Sequence, residues 1–193
     1  MTASNSALLT VRPALPVLFD RRYADPMQVV VMRRAKRLPR GQRRVVCEQP
    51  VFRKGASATE NSIIATGRSM IVENSYGYFP PPDATSNGST TAPGVERVNI
   101  GRRGRGWRSR EISPSTVPKL SLASGLIYLY TKPRGTPDPW YVTAIDFDTG
   151  RTRWGRLIGT GLLYNVHYAG LTISPRGVLY TGVLGGTVAL ADG

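Results

Sequence analysis

Short apolar runs alternate with turn-forming residues along most of the chain. From residue 51 onward these runs have the length of β-strands and are rich in β-branched and aromatic side chains. Turn-forming pairs such as Ser124-Gly125 and Thr149-Gly150 separate them. No long run places its apolar residues at helical spacing between recognisable helix caps. The pattern therefore predicts an all-β protein.

The predicted strands recur in a fixed order. A short strand, a glycine turn and a stronger strand occur three times, at residues 63–72, 120–130 and 171–180. The stronger strand begins near Met70, Leu126 and Val178, with spacings of 56 and 52 residues. A third strand follows each unit, at Val95–Ile100, Tyr141–Phe147 and Thr187–Leu190. Repeats of about 40 to 50 residues with four short strands are typical of β-propeller blades.

This period suggests an N-terminal segment followed by blades. Residues 1–50 are predicted to be an irregular basic segment with remnant blade strands, including Met27–Met32. Residues 51–193 are predicted to form the propeller blades, with bounds at residues 51–112, 113–160 and 161–193. Counting the remnant, this gives about three and a half four-stranded blades, whereas propellers typically have four to eight. We therefore expect a partial propeller, closed by an oligomer or by the remainder of a longer protein. Leu8–Arg12 is a candidate strand for completing the last blade.

One predicted blade carries a complete copy of a repeat motif. The segment Ala144–Trp154 follows the pattern A-x-D-x-x-T-G-x-x-x-W. We expect Asp146 to accept hydrogen bonds from the amides of the turn, and Gly150 to supply the positive φ of the hairpin. Trp154 is expected to wedge between neighbouring blades, with its indole N–H on a backbone acceptor. A weaker copy of the motif ends in Trp107.

This motif resembles the repeat of the pyrroloquinoline-quinone-dehydrogenase-like, or quinoprotein-like, β-propellers. The resemblance covers roughly residues 57–193 and implies the propeller fold. In the quinoprotein dehydrogenases the quinone lies near a calcium ion held by carboxylates, with an aspartate base and usually a vicinal cysteine pair. The chain has one cysteine, Cys47, and its acids are scattered. The resemblance therefore implies the fold without the dehydrogenase, and we predict no catalytic residue, no metal site and no cofactor. It also suggests an extracytoplasmic location, although the N-terminal residues do not resemble a signal peptide.

The composition excludes several classes of protein. The chain has 193 residues, of which 26 are Lys or Arg and 12 are Asp or Glu, so the net charge is +14. Hydrophobic residues make up 40% and charged residues 20%, which is too apolar for a disordered chain. A single cysteine and a single histidine exclude a disulfide framework and a multi-histidine metal site. No uninterrupted apolar stretch predicts a membrane span.

Candidate ligand-binding residues occupy equivalent positions in the three repeats. They lie in the segments that enter the innermost strands, and in a propeller such segments line one face of the central channel. These residues are Glu60, Asn61, Lys119, Asn165 and His167. The competing interpretation is that they cap strand ends and form hydrogen bonds with loops between blades.

Basic side chains are concentrated in the first third of the chain. Residues 1–60 carry a net charge of +8. The candidate anion-binding residues are Arg33, Arg34, Arg37, Arg40, Arg43 and Arg44. Such a cluster would bind nucleic-acid phosphates, anionic lipid or an acidic protein, and a solvated loop explains it equally well. Gly101–Arg108 resembles an RGG-type RNA-binding tract, but a blade hairpin is favoured because Trp107 occupies the motif position.

Three functions follow from these observations. The favoured one is a non-catalytic propeller scaffold that presents loops to a protein partner or a small ligand, as part of a larger exported protein. The second is a quinoprotein-like oxidoreductase, or a hydrolase, with a channel-mouth site around Glu60, Lys119 and His167. The third is binding of nucleic acid or an anionic surface through the Arg-rich segments, with an affinity that falls steeply as salt rises.

Overall fold

The computed structural model describes residues 7–12, 28–33, 40–41, 45–59, 61–78, 88–99 and 105–191. Within these residues the protein is all-β, as predicted, and forms four antiparallel sheets. No helix in the described part of the chain has the length and apolarity needed to cross a membrane.

The sheets are numbered I to IV in chain order. Sheet I contains β1 (Ala7–Arg12), β2 (Gln28–Arg33) and β3 (Val45–Pro50). Sheet II contains β4 (Ile64–Thr66), β5 (Ser69–Glu73), β6 (Val95–Asn99) and β7 (Arg105–Ser109). Sheet III contains β8 (Lys119–Ser121), β9 (Leu126–Thr131), β10 (Pro139–Asp146) and β11 (Thr152–Thr160). Sheet IV contains β12 (Thr172–Ile173), β13 (Leu179–Val183) and β14 (Gly186–Leu190), and a short 3-10 turn, Leu162–Tyr164, precedes it.

Each sheet is a meander in which a strand pairs with the strands before and after it in the chain. The structure places β1 against β2, with Ala7 opposite Arg33. The idea that Leu8–Arg12 completes the last blade is therefore wrong, because this strand extends sheet I instead. The strand predicted at Met27–Met32 corresponds to β2, the middle strand of sheet I.

Consecutive sheets pack face to face, so the central strands bury both faces. Met70 and Val72 of β5 pack with Val29 of sheet I, whereas Ile71 packs with Ile127 of sheet III. The same alternation continues in sheet III, where aromatic and apolar side chains of β9 and β10 pack on sheet IV. Burial on both faces explains why these strands are nearly continuous apolar runs without a polar alternation.

A tryptophan joins sheet II to sheet III. The indole Nε1–H of Trp107 donates to the carbonyl oxygen of Phe147 at 2.9 Å. Its ring covers Gly150, where an added Cβ would lie 2.5 Å from ring carbons. Arg97 reaches the same turn, with Nη1 2.9 Å from the Phe147 carbonyl oxygen and 3.0 Å from Oδ1 of Asp148. This contact fixes the position of one sheet on the next.

The motif turn adopts the predicted geometry. Oδ1 of Asp146 accepts hydrogen bonds from the amides of Asp148 and Thr149 at 3.1 and 2.8 Å. Gly150 has a φ of +69°. The hydrogen bonds from Arg153 and Thr149 hold the pKa of Asp146 well below its usual range. Trp154, the last motif residue, is 39% exposed, and its ring centroid lies 6.0 Å from that of Tyr128 in its own sheet. The expectation that Trp154 wedges between neighbouring sheets is therefore wrong, and Trp107 of the weaker motif copy makes such a contact instead.

Candidate functional site

A groove runs between the edge strands β4 and β8, and we call it the inner groove. It consists of two clefts that share Val117. The first cleft has a volume of about 400 Å³ and is lined mainly by apolar residues of β4, β8 and the segments beside them. Lys119 is the charged residue in this lining. The second cleft has a volume of about 290 Å³ and is lined by Asn61, Ser62, Val117 and Tyr168.

A strained turn positions the aromatic side of the second cleft. The amide of Ala169 donates to the carbonyl oxygen of Val166 at 3.0 Å, which closes a tight turn around His167 and Tyr168. These two residues have φ values of +40° and +67°. A non-glycine residue in this region costs on the order of 1–3 kcal/mol and persists only where its surroundings hold it.

The surroundings of the turn are a buried polar and aromatic cluster. Oδ1 of the buried Asn165 accepts hydrogen bonds from the Tyr78 hydroxyl and from the His167 amide, both at 2.9 Å. The Tyr168 ring makes an edge contact with Tyr78, with centroids 5.4 Å apart, and lies 5.4 Å from the His167 ring. Asn165 and Tyr78 thus hold the turn that presents Tyr168 to the second cleft.

A buried acid supports the opposite wall of this cleft. Glu73, at the end of β5, is 2% exposed. The Ser113 hydroxyl donates to its Oε1 at 2.5 Å, and the Asn61 side-chain amide donates to its Oε2 at 3.4 Å. Burial raises the pKa of Glu73 well above its ordinary value, and the two hydrogen bonds oppose that rise. Asn61 therefore connects the cleft to a buried acid whose pKa is raised.

Four of the five predicted ligand-binding residues lie in the described part of the chain. Asn61 lines the second cleft, and Asn165 and His167 lie in the cluster that holds Tyr168. Lys119 lines the first cleft, whereas Glu60 lies outside the described residues. Asn61 and Lys119 thus line the inner groove, whereas Asn165 and His167 belong to the hydrogen-bonded cluster beside it. The binding role of all four stays a prediction.

The predicted anion-binding cluster is described only in part. Arg40 is exposed in a turn, and Arg33 ends β2, where only the backbone is described. The other members, Arg34, Arg37, Arg43 and Arg44, lie outside the described residues. Their role in anion binding stays a prediction. Arg108, from the RGG-like tract, lies in β7 and pairs with the buried Glu96, in agreement with the hairpin interpretation.

The sequence did not single out Tyr78, Tyr168, Glu73 or Ser113. The available signal for Glu73 was an acid that directly follows the apolar run Met70-Ile71-Val72. Among the described residues, no three His, Cys, Asp or Glu side chains are grouped closely enough to hold a metal ion.

Replacing Glu73 by glutamine is expected to change the pH dependence of stability. The carboxyl pKa is about 4.3 in an unfolded chain and is raised in the folded protein. The contribution of this carboxyl group to the free energy of unfolding is therefore fully present below about pH 4.3. It is lost as the pH rises through the folded pKa, by about 1.4 kcal/mol per pH unit. Glu73→Gln removes this loss, so the variant gains stability over the wild type as pH increases.

Urea unfolding at about pH 4.5, 6 and 7.5 measures the difference in free energy of unfolding between the variant and the wild type. The control variant is Glu48→Gln, at an exposed position of β3, which should follow the wild type throughout. Parallel pH profiles for Glu73→Gln and the wild type would contradict the assignment of Glu73 as the titrating group.

No family model matches the chain. An uncharacterized protein of Archaeoglobus fulgidus is 27% identical over 169 residues. The match covers 78% of this chain and 33% of the relative, so the chain spans about one third of that protein's length.

Proposed function

We propose that the chain forms part of a non-catalytic, quinoprotein-like β-propeller scaffold whose inner groove binds a small amphiphilic anion. Four consecutive meanders support the propeller arrangement, because they pack face to face in chain order. The contact of Trp107 with the turn at Gly150 supports it further, since Trp107 occupies the tryptophan position of the weaker motif copy and lies between two sheets. Sheets II and III, with four strands each, correspond to complete blades in this proposal.

The observation that carries the binding function is the lining of the inner groove. Its first cleft combines apolar residues such as Ile64 and Leu120 with the exposed cation Lys119. Its second cleft adds an aromatic ring and an amide, from Tyr168 and Asn61. The two clefts are open to solvent and combine apolar and polar lining groups, which suits a small ligand with both kinds of surface.

The charge of the groove indicates the kind of ligand. Lys119 is the sole charged residue in the described lining of both clefts. The protein as a whole carries +14, so its long-range field attracts anions. A molecule with an apolar body and one anionic group would place its body along β4 and β8 and its charge at Lys119. We therefore favour this ligand class over neutral or cationic molecules.

Binding of a naphthalene dye tests the proposal. The probe is 8-anilino-1-naphthalenesulfonate, which has an apolar body and one sulfonate, and its neutral counterpart is N-phenyl-1-naphthylamine. Lys119→Met is expected to weaken binding of the sulfonate probe about fivefold, since an exposed charge contact contributes about 1 kcal/mol. Binding of the neutral probe should not change. Both are measured by fluorescence titration.

Two further variants separate the groove from other surfaces. Lys54→Met removes a lysine that is exposed outside the groove and should leave both affinities unchanged. Leu122→Gln changes an exposed apolar residue of the first cleft and should weaken both probes. If neither Lys119→Met nor Leu122→Gln alters dye binding, the inner groove is not the binding site.

A further inference from the structure

Hydrogen bonds connect the second cleft of the inner groove to a buried carboxyl group. The side-chain amide of Asn61, which lines this cleft, donates to Oε2 of Glu73 at 3.4 Å. The Ser113 hydroxyl lies 2.5 Å from Oε1 of Glu73 and 3.3 Å from the carbonyl oxygen of Tyr130. Glu73, Ser113 and Tyr130 are all buried. A change in the charge of Glu73 therefore reaches the cleft through one intervening side chain, that of Asn61.

This arrangement accommodates both protonation states of Glu73 without moving a heavy atom. An ionised carboxylate only accepts hydrogen bonds, and here the donors are Ser113 and Asn61. A neutral Glu73 carries its proton on Oε1 and donates it to the Ser113 oxygen. The Ser113 hydroxyl then turns to the carbonyl oxygen of Tyr130, and Asn61 still donates to Oε2. The structure therefore provides hydrogen-bond partners for the acid with and without its proton.

The side chains bonded to Glu73 do not offset its negative charge. In the described part of the chain they are Ser113 and Asn61, and both are uncharged. The titratable residues on the surrounding elements are Glu96 in β6, Glu111 and Lys119 on either side of Ser113, Tyr130 in β9, and Lys132 directly after β9. Glu96 and Lys132 form ion pairs with other residues. The side chains of Glu111 and Tyr130 form hydrogen bonds elsewhere, and Lys119 lines the first cleft.

We propose that Glu73 controls anion binding in the inner groove through Asn61, so that the groove takes up an anionic ligand together with a proton. This inference rests on the proposed function, because it concerns the same groove and the same ligand class. An ionised Glu73 repels an anion in the second cleft, and burial leaves this repulsion weakly screened. It also holds an amide N–H of Asn61 that an anion would otherwise accept. A neutral Glu73 removes the repulsion.

The pH dependence of dye binding tests this proposal, with the two naphthalene probes used above. The sulfonate of 8-anilino-1-naphthalenesulfonate stays ionised, and N-phenyl-1-naphthylamine stays neutral. Wild-type affinity for the sulfonate probe should be highest at low pH, where Glu73 is neutral. It should fall about tenfold as the pH rises through the folded pKa, within about pH 5 to 9. Affinity for the neutral probe should not change. Fluorescence titration measures both affinities, and circular dichroism checks the fold at each pH.

Variants of single titratable residues assign the pH dependence. Glu73→Gln keeps the shape and hydrogen-bonding capacity of the neutral acid, so it should retain the high affinity for the sulfonate probe at every pH. Glu48→Gln, at an exposed position, should follow the wild type. The His167 ring lies 5.4 Å from that of Tyr168, and Glu60 precedes Asn61 in the sequence. Whatever their own affinities, His167→Asn and Glu60→Gln should keep the fall in affinity with rising pH.

Calorimetry of His167→Asn in buffers of different ionisation enthalpy gives a second readout that does not depend on folding of the Glu73 variant. Binding of the sulfonate probe should take up protons at pH values near the folded pKa of Glu73. The inference is overturned if no proton is taken up, or if the pH dependence persists in Glu73→Gln. A sulfonate affinity that is constant with pH, while Leu122→Gln still weakens both probes, overturns this inference and leaves the proposed function standing. If neither probe binds at any pH, both fail.

Discussion

Asparagine in place of Asp138 is expected to lower the free energy of unfolding by about 3–5 kcal/mol. The side chain of Lys132 is fully buried, and its ammonium group pairs with the Asp138 carboxylate, which is 23% exposed. The lysine Nζ also lies 5.2 Å from the ring centroid of Trp140. Removing the carboxylate charge leaves a buried cation without its counter-ion, and the cost of desolvating that cation remains.

The Asp138→Asn substitution removes the negative charge and keeps the backbone conformation. Asp138 has a φ of +66°, and asparagine tolerates this conformation as well as aspartate does. In urea unfolding, the double variant Lys132→Met with Asp138→Asn should recover most of the loss, because it removes the cation as well. Asp148→Asn is the matched control, since its carboxylate is 82% exposed and pairs with Arg97; it should cost less than about 1 kcal/mol. A loss in Asp138→Asn as small as in the control would show that the buried pair does not stabilise the fold.

Alanine in place of Gly150 is expected to destabilise the protein by about 2–4 kcal/mol. The added Cβ would meet Trp107 ring carbons at 2.5 Å, well inside van der Waals contact. The φ of +69° adds backbone strain for any L side chain. The ring must move, and its indole then loses the hydrogen bond to the Phe147 carbonyl. The contact between sheets II and III weakens as a result.

The Gly125→Ala variant separates the steric clash with Trp107 from the backbone strain. Gly125 has nearly the same φ, +66°, but an added Cβ there meets nothing within 4 Å. This control should cost only about 1–2 kcal/mol, the strain of the left-handed backbone. In a Trp107→Ala background, Gly150→Ala should fall to the same value, which a double-mutant cycle by chemical denaturation measures. If Gly150→Ala and Gly125→Ala are equally destabilising, the contact between Trp107 and Gly150 does not contribute to the stability of the fold.

The sequence was most informative where a local pattern determines local structure. Asp146 and Gly150 form the predicted turn because its hydrogen bonds and φ values depend on neighbouring residues. The repeat period also placed Asn61 and Lys119 at the start of successive sheets, and both line the inner groove. Asn165, at the equivalent position before sheet IV, is buried and holds the turn at Tyr168. Equivalent residues of a repeat occupy equivalent positions in the fold. Their placement could therefore be predicted without knowing which distant residues are in contact.

The sequence patterns did not predict contacts between residues that are distant in the chain. Strand propensity identified Leu8–Arg12, but it did not specify the partner strand, and the structure gives β2. Glu73 is buried and bonded to Ser113, whose hydroxyl also lies 3.3 Å from the Tyr130 carbonyl oxygen of sheet III. The local sequence around Glu73 does not indicate these distant neighbours. The left-handed turn at Tyr168 was missed for the same reason, since Tyr78, which contacts both Asn165 and Tyr168, lies 87 residues before Asn165 in the chain.

The packing of each sheet on the next has a consequence for synthesis on the ribosome. The described apolar clusters join sheets I and II, II and III, and III and IV, so they connect sheets that are consecutive in the chain. In such a quasi-one-dimensional arrangement, structure can nucleate in one unit and propagate to its neighbour. Each sheet can therefore assemble soon after its own residues emerge and can serve as a template for the following one. A ribosome pausing between sheets would hold a folded intermediate with one uncovered apolar face.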